Sequence, residues 1–271
     1  MASHEPLAIF VLSDSVGGTA SNISNAALSQ FPDLHCNFKI FSFIREQKQL
    51  LSILDKAEEV NALILHTFVD KVLIETIHSY CSDNEMTCLD ILNPIIREIS
   101  ARTGLEPQAK PGAMHKLDEN YFDRIGAMEF AVTYDDGKDP KGFLEADIVI
   151  LGISRTSKTP LSIYLANQNY KVANLPLMPE SEIPKELWKV DSRKIVGLTN
   201  DESILSNIRR ERMISYGMNP DTPYSSTARI QKEIRYAENL YKKLDCQIIN
   251  VANKSIEETA AIIVNSFQAQ H

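Results

Sequence analysis

The chain has 271 residues, 44% hydrophobic and 24% charged, with a net charge of −8; at roughly 150 residues per domain this suggests about two domains and excludes a disordered or fibrous chain. The negative charge argues against a general nucleic-acid binder, and no apolar run reaches the roughly 18 residues of a membrane-spanning helix. Met1–Pro6 lacks the basic flank and small-residue cleavage site of a signal peptide, so a cytoplasmic location is expected.

In chain order, Leu7–Ser13 is an apolar run of strand length, and Thr19–Gln30 has helical spacing. Phe38–Ile44 (strand), Gln47–Val60 (helix), Ala62–Phe68 (strand), Lys71–Tyr80 (helix), Met86–Leu92 (strand) and Pro94–Ala101 (helix) follow. Pro94 suits a first helical turn and Gly104 a stop. Four β-α units in succession imply a parallel sheet with helices on its faces. Glycine and proline then interrupt residues 104–145, although 121–132 (YFDRIGAMEFAV) is too apolar to be left in water. This segment is expected to be an ordered bridge that can contain a helix, and a candidate homodimer surface if exposed. The alternation resumes with Asp147–Leu151 (strand) and a helix ending at Asn167. Strands Lys171–Leu175 and Lys194–Leu198 follow, then helices Ser203–Tyr216 and Ala228–Leu244 and strand Gln247–Val251. Ser255 and Glu258 form a capping box that opens the last helix. The expected architecture is α/β: an N-terminal doubly wound domain (1–103), the bridge (104–145) and a C-terminal nucleotide-binding domain of P-loop kinase type (146–271).

The charge is unevenly spread: residues 1–145 carry 12 basic against 22 acidic side chains, and residues 146–271 carry 16 against 14. Phosphate-binding charge is therefore expected in the second half. There, Gly152-Ile153-Ser154-Arg155-Thr156-Ser157-Lys158-Thr159 has the spacing of a P-loop, Gly-x4-Gly-Lys-Ser/Thr, with Ser157 in place of the second glycine. A buried strand precedes it and an amphipathic helix follows. Loop amides and the helix N-terminus would face a phosphate, Lys158 would supply mobile positive charge, and the Thr159 hydroxyl would serve Mg2+. A side chain at 157 calls for ordinary backbone angles and would crowd that phosphate; a plain strand-helix turn is the simpler alternative. Arg209 and Arg212, three apart on a helix, are expected to share a face, and Arg209 is a candidate for the transferring phosphoryl group. A solvated helix face explains them equally well.

A second constellation, Ser13-Asp14-Ser15-Val16-Gly17-Gly18-Thr19, follows the first strand, where doubly wound sheets bind ligands. Ser13, Ser15, Gly17, Gly18 and Thr19 are candidate phosphate-binding residues, and His66, Thr67 and Asp90 lie near strand ends that could line the same crevice. A glycine turn with a helix cap is the competing reading. Asp14 and Asp135 are candidate bases, although Asp135-Asp136-Gly137 also reads as an ordinary turn. Cys36, Cys81, Cys88 and Cys246 lack Cys-x-x-Cys spacing and are expected to be reduced, buried thiols rather than zinc ligands. The six histidines do not cluster in sequence; His66 and His78 are twelve apart and expected on different elements.

Together these stretches resemble the pyruvate, phosphate dikinase regulatory protein family. The resemblance runs nearly end to end, through SDSVGGTA (13–20), YFDRIGAMEFAVTYDDG (121–137), ADIVILGISRTSKTPLSIYLA (146–166), KVANLPLMPE (171–180), GLTNDESILSNIRRERM (197–213) and NKSIEETAAII (253–263). Arg-Thr-Ser-Lys-Thr-Pro at 155–160 looks like the dikinase branch; the sister branch, which acts on phosphoenolpyruvate synthase, carries Cys-Gly in place of Thr-Ser. The resemblance implies a bifunctional serine/threonine kinase and phosphorylase. It would move the β-phosphate of ADP to a dikinase threonine, and remove it with inorganic phosphate as acceptor and pyrophosphate as product. It implies residues 152–159 as the ADP loop and the dikinase as protein partner. Gly18 and Gly126 stand where many members have an acidic residue. A non-catalytic nucleotide sensor and a small-molecule P-loop kinase remain alternatives on the residues alone.

Overall fold

The computed structural model describes residues 6–113 and 119–269. The chain divides into two compact units, 1–116 and 117–271. Among the described residues, each contains one four-stranded parallel sheet.

The first unit runs β1 (Leu7–Leu12), α1 (Gly18–Leu28), β2 (Cys36–Phe41), α2 (Gln47–Glu59), β3 (Leu63–His66), α3 (Lys71–Asp83), β4 (Cys88–Asp90) and α4 (Asn93–Thr103). Its strand order is β2-β1-β3-β4. A central parallel strand must be apolar on both faces, and β1 is. Ala8, Phe10 and Leu12 pack with Leu50 and Leu54 of α2 and Leu73 and Ile77 of α3, while Ile9 and Val11 meet Ala20 of α1. The Asp70 carboxylate accepts the Val72 and Leu73 amides to start α3, and Gly104 ends α4 at φ +72°.

Strands β2, β3 and β4 end before their apolar runs do, and for β2 and β4 the cause is visible. After β2 the chain turns at Phe43, at φ 56°, because the amides of Phe43 and Ile44 donate to the carbonyls of Ser15 and Ser13. After β4 the Asp90 carboxylate accepts the Leu92 and Asn93 amides and bends the chain into α4.

The second unit runs α5 (Glu119–Thr133), α6 (Gly142–Glu145), β5 (Ile148–Gly152), α7 (Lys158–Ala166), β6 (Val172–Pro176), β7 (Ile195–Thr199), α8 (Glu202–Ser215), α9 (Thr227–Leu244), β8 (Gln247–Asn250) and α10 (Ile256–Gln268). Its order, β6-β5-β7-β8, repeats the permutation of the first unit. Val149 and Leu151 of β5 pack with Leu240, Tyr241 and Leu244 of α9; Ile148 and Ile150 pack with Leu161 and Leu165 of α7 and Ile263 of α10. Ser255 and Glu258 form the reciprocal cap of α10. The Tyr241 ring lies so close to Gly197 of β7 that a Cβ there would stand 2.7 Å from its ring carbons. Its hydroxyl sits between two strand carbonyls, 2.8 Å from Leu198 and 3.3 Å from Leu151.

Segment 104–145 divides between the two units. Residues 119–145 belong to the second, where Ala127 and Ala131 of α5 pack on Ala166 of α7. The opposite side of α5 exposes Phe122 and Val132. No helix among the described residues is long and apolar enough to cross a membrane.

Candidate nucleotide site

The second unit's first strand ends in Gly152, and the chain there curls back on itself. Thr156 is fully buried and its hydroxyl donates to the Ile153 carbonyl at 2.9 Å. A Cβ on Gly152 would collide with that hydroxyl and press on Lys158 and Leu198 at 3.4 Å, so this position accepts only glycine without rearrangement. Arg155 and Ser157 both adopt left-handed backbone, at φ 72° and 62°. Ser157 thus takes the conformation that a P-loop glycine would take, contrary to the ordinary angles expected of a side chain there. Alternating backbone of this kind turns successive N–H groups toward one point, which favours an anion. The loop then opens α7, whose unpaired first amides add to the same field.

Lys158 is the charged group of this loop. It is 6% exposed, and its ammonium donates to the Ile153 carbonyl at 3.2 Å. Burial pushes its pKa down to about 8, against the opposing pull of Asp136 and Asp135. A buried ammonium with one carbonyl partner retains unused donors, a configuration that an arriving phosphate would satisfy. It borders a cavity of about 860 Å³ that is also lined by Ser154, Arg155, Thr159, Asp136 and Tyr224.

The acidic pair lies beside it on a 3-10 turn, Asp135–Gly137. Asp135 Oδ1 accepts the Thr159 hydroxyl at 2.8 Å and the Asn174 amide at 2.7 Å. The backbone amide of Asp136 donates to Asn174 at 3.2 Å, and Asp136, at φ 53°, lines the cavity. Asp135-Asp136-Gly137 is thus a turn, and that turn holds the Asp135 carboxylate against Thr159 and Asn174. Asn174 is the organising residue that motif reasoning missed. It is fully buried on β6, and its signal was a lone amide in the otherwise apolar strand Val172–Pro176.

Arg209 requires a correction. It is fully buried and lies behind the loop rather than in the cavity, bonded to the Ser154 carbonyl (3.1 Å), the Tyr224 carbonyl (2.9 Å) and the Glu233 carboxylate (2.6 Å). Its guanidinium also packs on the Tyr224 ring at 4.6 Å. This is a strut that fixes the loop. Nor do Arg209 and Arg212 share an environment: Arg209 faces the interior with Leu205, while Arg212 is exposed and packs on Tyr216.

Residues 9–264 match the model of the family described as kinase/pyrophosphorylase. The chain belongs to that family. Similar proteins include a candidate pyruvate, phosphate dikinase regulatory protein of Lactiplantibacillus plantarum, 54% identical over 258 residues and covering 95% of each chain. One from Latilactobacillus sakei is 53% identical over 264 residues, covering 97% of this chain and 94% of the relative. A third, from Pediococcus pentosaceus, is 54% identical over 258 residues.

In the first unit the turn at residues 13–19 also borders a cavity, of about 560 Å³. Its polar groups largely satisfy one another. Asp14, nearly fully buried, accepts the Val69 amide at 2.9 Å, and the Thr67 hydroxyl bonds Ser13 at 3.1 Å. Ser13 Oγ also accepts the Ser15 amide at 3.1 Å. Gly17 caps α1 at φ +86°, and Gly18 and Thr19 are exposed on its first turn. Thr67 lines this cavity, whereas His66 and Asp90 do not. They meet His78 instead: the two imidazoles lie on different elements, as expected, β3 and α3, and stand 5.5 Å centroid to centroid. Burial drives His66 down to about 4, so it is neutral near pH 7.

Proposed function

We propose that this kinase/pyrophosphorylase regulates pyruvate, phosphate dikinase, using ADP to phosphorylate a threonine of that enzyme and inorganic phosphate to remove the group. The observation that carries the reading is the buried Lys158 ammonium, held by a loop of left-handed turns beside two carboxylates. The names of the relatives supply the protein substrate.

In the forward step the threonine oxygen forms a bond to the β-phosphorus of ADP, and the bond from that phosphorus to the AMP oxygen breaks. Lys158 neutralises the charge on the group in flight, and the loop amides hold the remaining phosphate. Asp136, which lines the cavity, would take the hydroxyl proton, since Asp135 is engaged by Thr159 and Asn174. In the reverse step an oxygen of inorganic phosphate attacks the phosphothreonine phosphorus, releasing threonine and pyrophosphate. The donor set fits a hard divalent cation, since a hydroxyl and carboxylates are oxygen ligands. Thr159 and Asp135 would hold Mg2+, which would supply charge neutralisation when bound.

The test is direct. The purified protein is incubated with ADP labelled at the β-phosphate, Mg2+ and a dikinase phosphorylated on its catalytic histidine. Label on threonine is expected, and its removal by inorganic phosphate should yield pyrophosphate. Nucleotide binding without transfer would favour a sensor, and preference for ATP without a protein acceptor would favour a small-molecule kinase.

A further inference from the structure

In the first unit, His66, His78 and Asp90 converge from three elements. His66 ends β3, Asp90 ends β4 directly opposite it in register, and His78 projects from α3. Each offers one ligand atom, and these atoms lie within 4.8 Å of one another. His78 Nε2 is 4.0 Å from Asp90 Oδ2, while Asp90 Oδ1 is occupied by the amides of Leu92 and Asn93. The carboxylate is therefore anchored through one oxygen and turned toward His78 with the other, as a fixed ligand would be.

The second observation is independent of that clustering. His66 is fully buried, and its Nε2 has no hydrogen-bond partner. A buried ring nitrogen without a partner is costly, because burial removes its water and nothing replaces it. Hydrogen bonding within the unit does not resolve this: Nδ1 receives only a long contact of 3.4 Å from the Phe68 amide. His78 is half exposed, which gives a solute access to the cluster.

We propose that His66 Nε2, His78 Nε2 and Asp90 Oδ2 bind one divalent cation of the zinc class, with water completing the coordination. Two imidazoles and a carboxylate select a borderline cation over Mg2+, which prefers an all-oxygen shell. Ligand bonds of about 2 Å require the three atoms to draw closer than they stand, and the exposed His78 ring has room to move inward. Loading shifts the His66 ring proton to Nδ1 and surrenders the long Phe68 contact, while providing the partner that Nε2 lacks. The cation would tie the ends of β3 and β4 to α3. This site is separate from the loop at 152–159, and the inference does not depend on the transfer reaction.

Full-length protein freed of metal with a chelator is titrated with Zn2+ by calorimetry, and with Co2+ by visible absorption. Saturable binding of one cation is expected, with the ligand-field bands of nitrogen-oxygen coordination and a raised melting temperature. His78→Ala, on an exposed helix position, and Asp90→Asn should each weaken binding by at least about tenfold. His35→Ala, at an exposed histidine outside the cluster, should leave it unchanged. Absence of a saturable site would overturn the proposal. So would equal affinity in His78→Ala, or an equal loss in His35→Ala.

Discussion

The two units carry the same strand permutation, and in each the first strand runs through a tight loop into a helix capped by a left-handed residue. Gly17, at φ +86°, does this before α1, and Ser157, at φ 62°, does it before α7. The loops differ in what they bury. The first buries a carboxylate, Asp14, already bonded to Val69, and no cation comes from residues 13–19; Lys110 reaches its cavity from later in the chain. The second buries an ammonium with a single carbonyl partner. Topology thus provides a crevice twice, and side-chain charge distinguishes the two loops, a carboxylate buried in one and an ammonium in the other.

Exchanging the charge should break the contrast most sharply. Lys158→Ala is expected to cut transfer from ADP by about a thousandfold, the scale of losing a principal stabiliser of transition-state charge. Asp14→Asn should leave it within about tenfold if the first loop plays no part. Steady-state transfer and phosphorolysis rates for both variants check this, and a similar loss in the two would erase the distinction.

Next in size is the strut behind the second loop, for which the first has no counterpart among the hydrogen bonds described. Arg209→Ala leaves Glu233 buried beside an empty space. The expected loss is about 3 kcal/mol, the low end for a broken buried pair, because Arg229 still holds Glu233 at 2.6 Å. Chemical denaturation measures it.

The pH dependence separates the loops further. Lys158 has its folded pKa lowered from 10.5 to about 8. Its charged form therefore costs stability below about pH 8, and that cost fades as pH rises toward its unfolded value. Phosphate binding runs the other way, since it needs the ammonium: kcat/KM for ADP should fall about tenfold per pH unit above about 8. Lys158→Arg should flatten this limb, because a guanidinium stays charged throughout the range.

The smallest effect concerns the caps. Gly17→Ser should destabilise by about 1–2 kcal/mol, the cost of a side chain in left-handed backbone, aggravated by Ile40 standing 3.1 Å from a Cβ at that site. Ser157→Gly should change stability by less than about 1 kcal/mol, because relief of that strain is offset by the freedom glycine gains in the unfolded chain. Thermal melts of the two variants test the asymmetry.

Strand-length runs marked the strands of both sheets, most plainly the central β1 and β5, which are buried on both faces and written in apolar residues; β2 and β4 are half-exposed and mix in polar residues. Their ends were less legible. Phe43 and Asp90 stop their strands through hydrogen bonds to partners that hydropathy does not register. The loop was visible as a motif since spacing alone carries it. Asn174 was not, because its role depends on Asp135, 39 residues away in sequence and adjacent only once β6 has paired with β5. Arg209 failed in the opposite direction: helical spacing placed it correctly on α8 but could not say which way that face would turn. The histidines repeat the lesson, since β3 and α3 bring together residues whose separation gave no hint of contact.

Gly197 and Tyr241 face each other so tightly that neither position can drift alone. A side chain at 197 needs a smaller ring opposite, and a smaller ring gives up the hydroxyl beside the Leu151 and Leu198 carbonyls. Leu151 immediately precedes Gly152, so the strand end that launches the lysine loop is kept in place by this mutual lock.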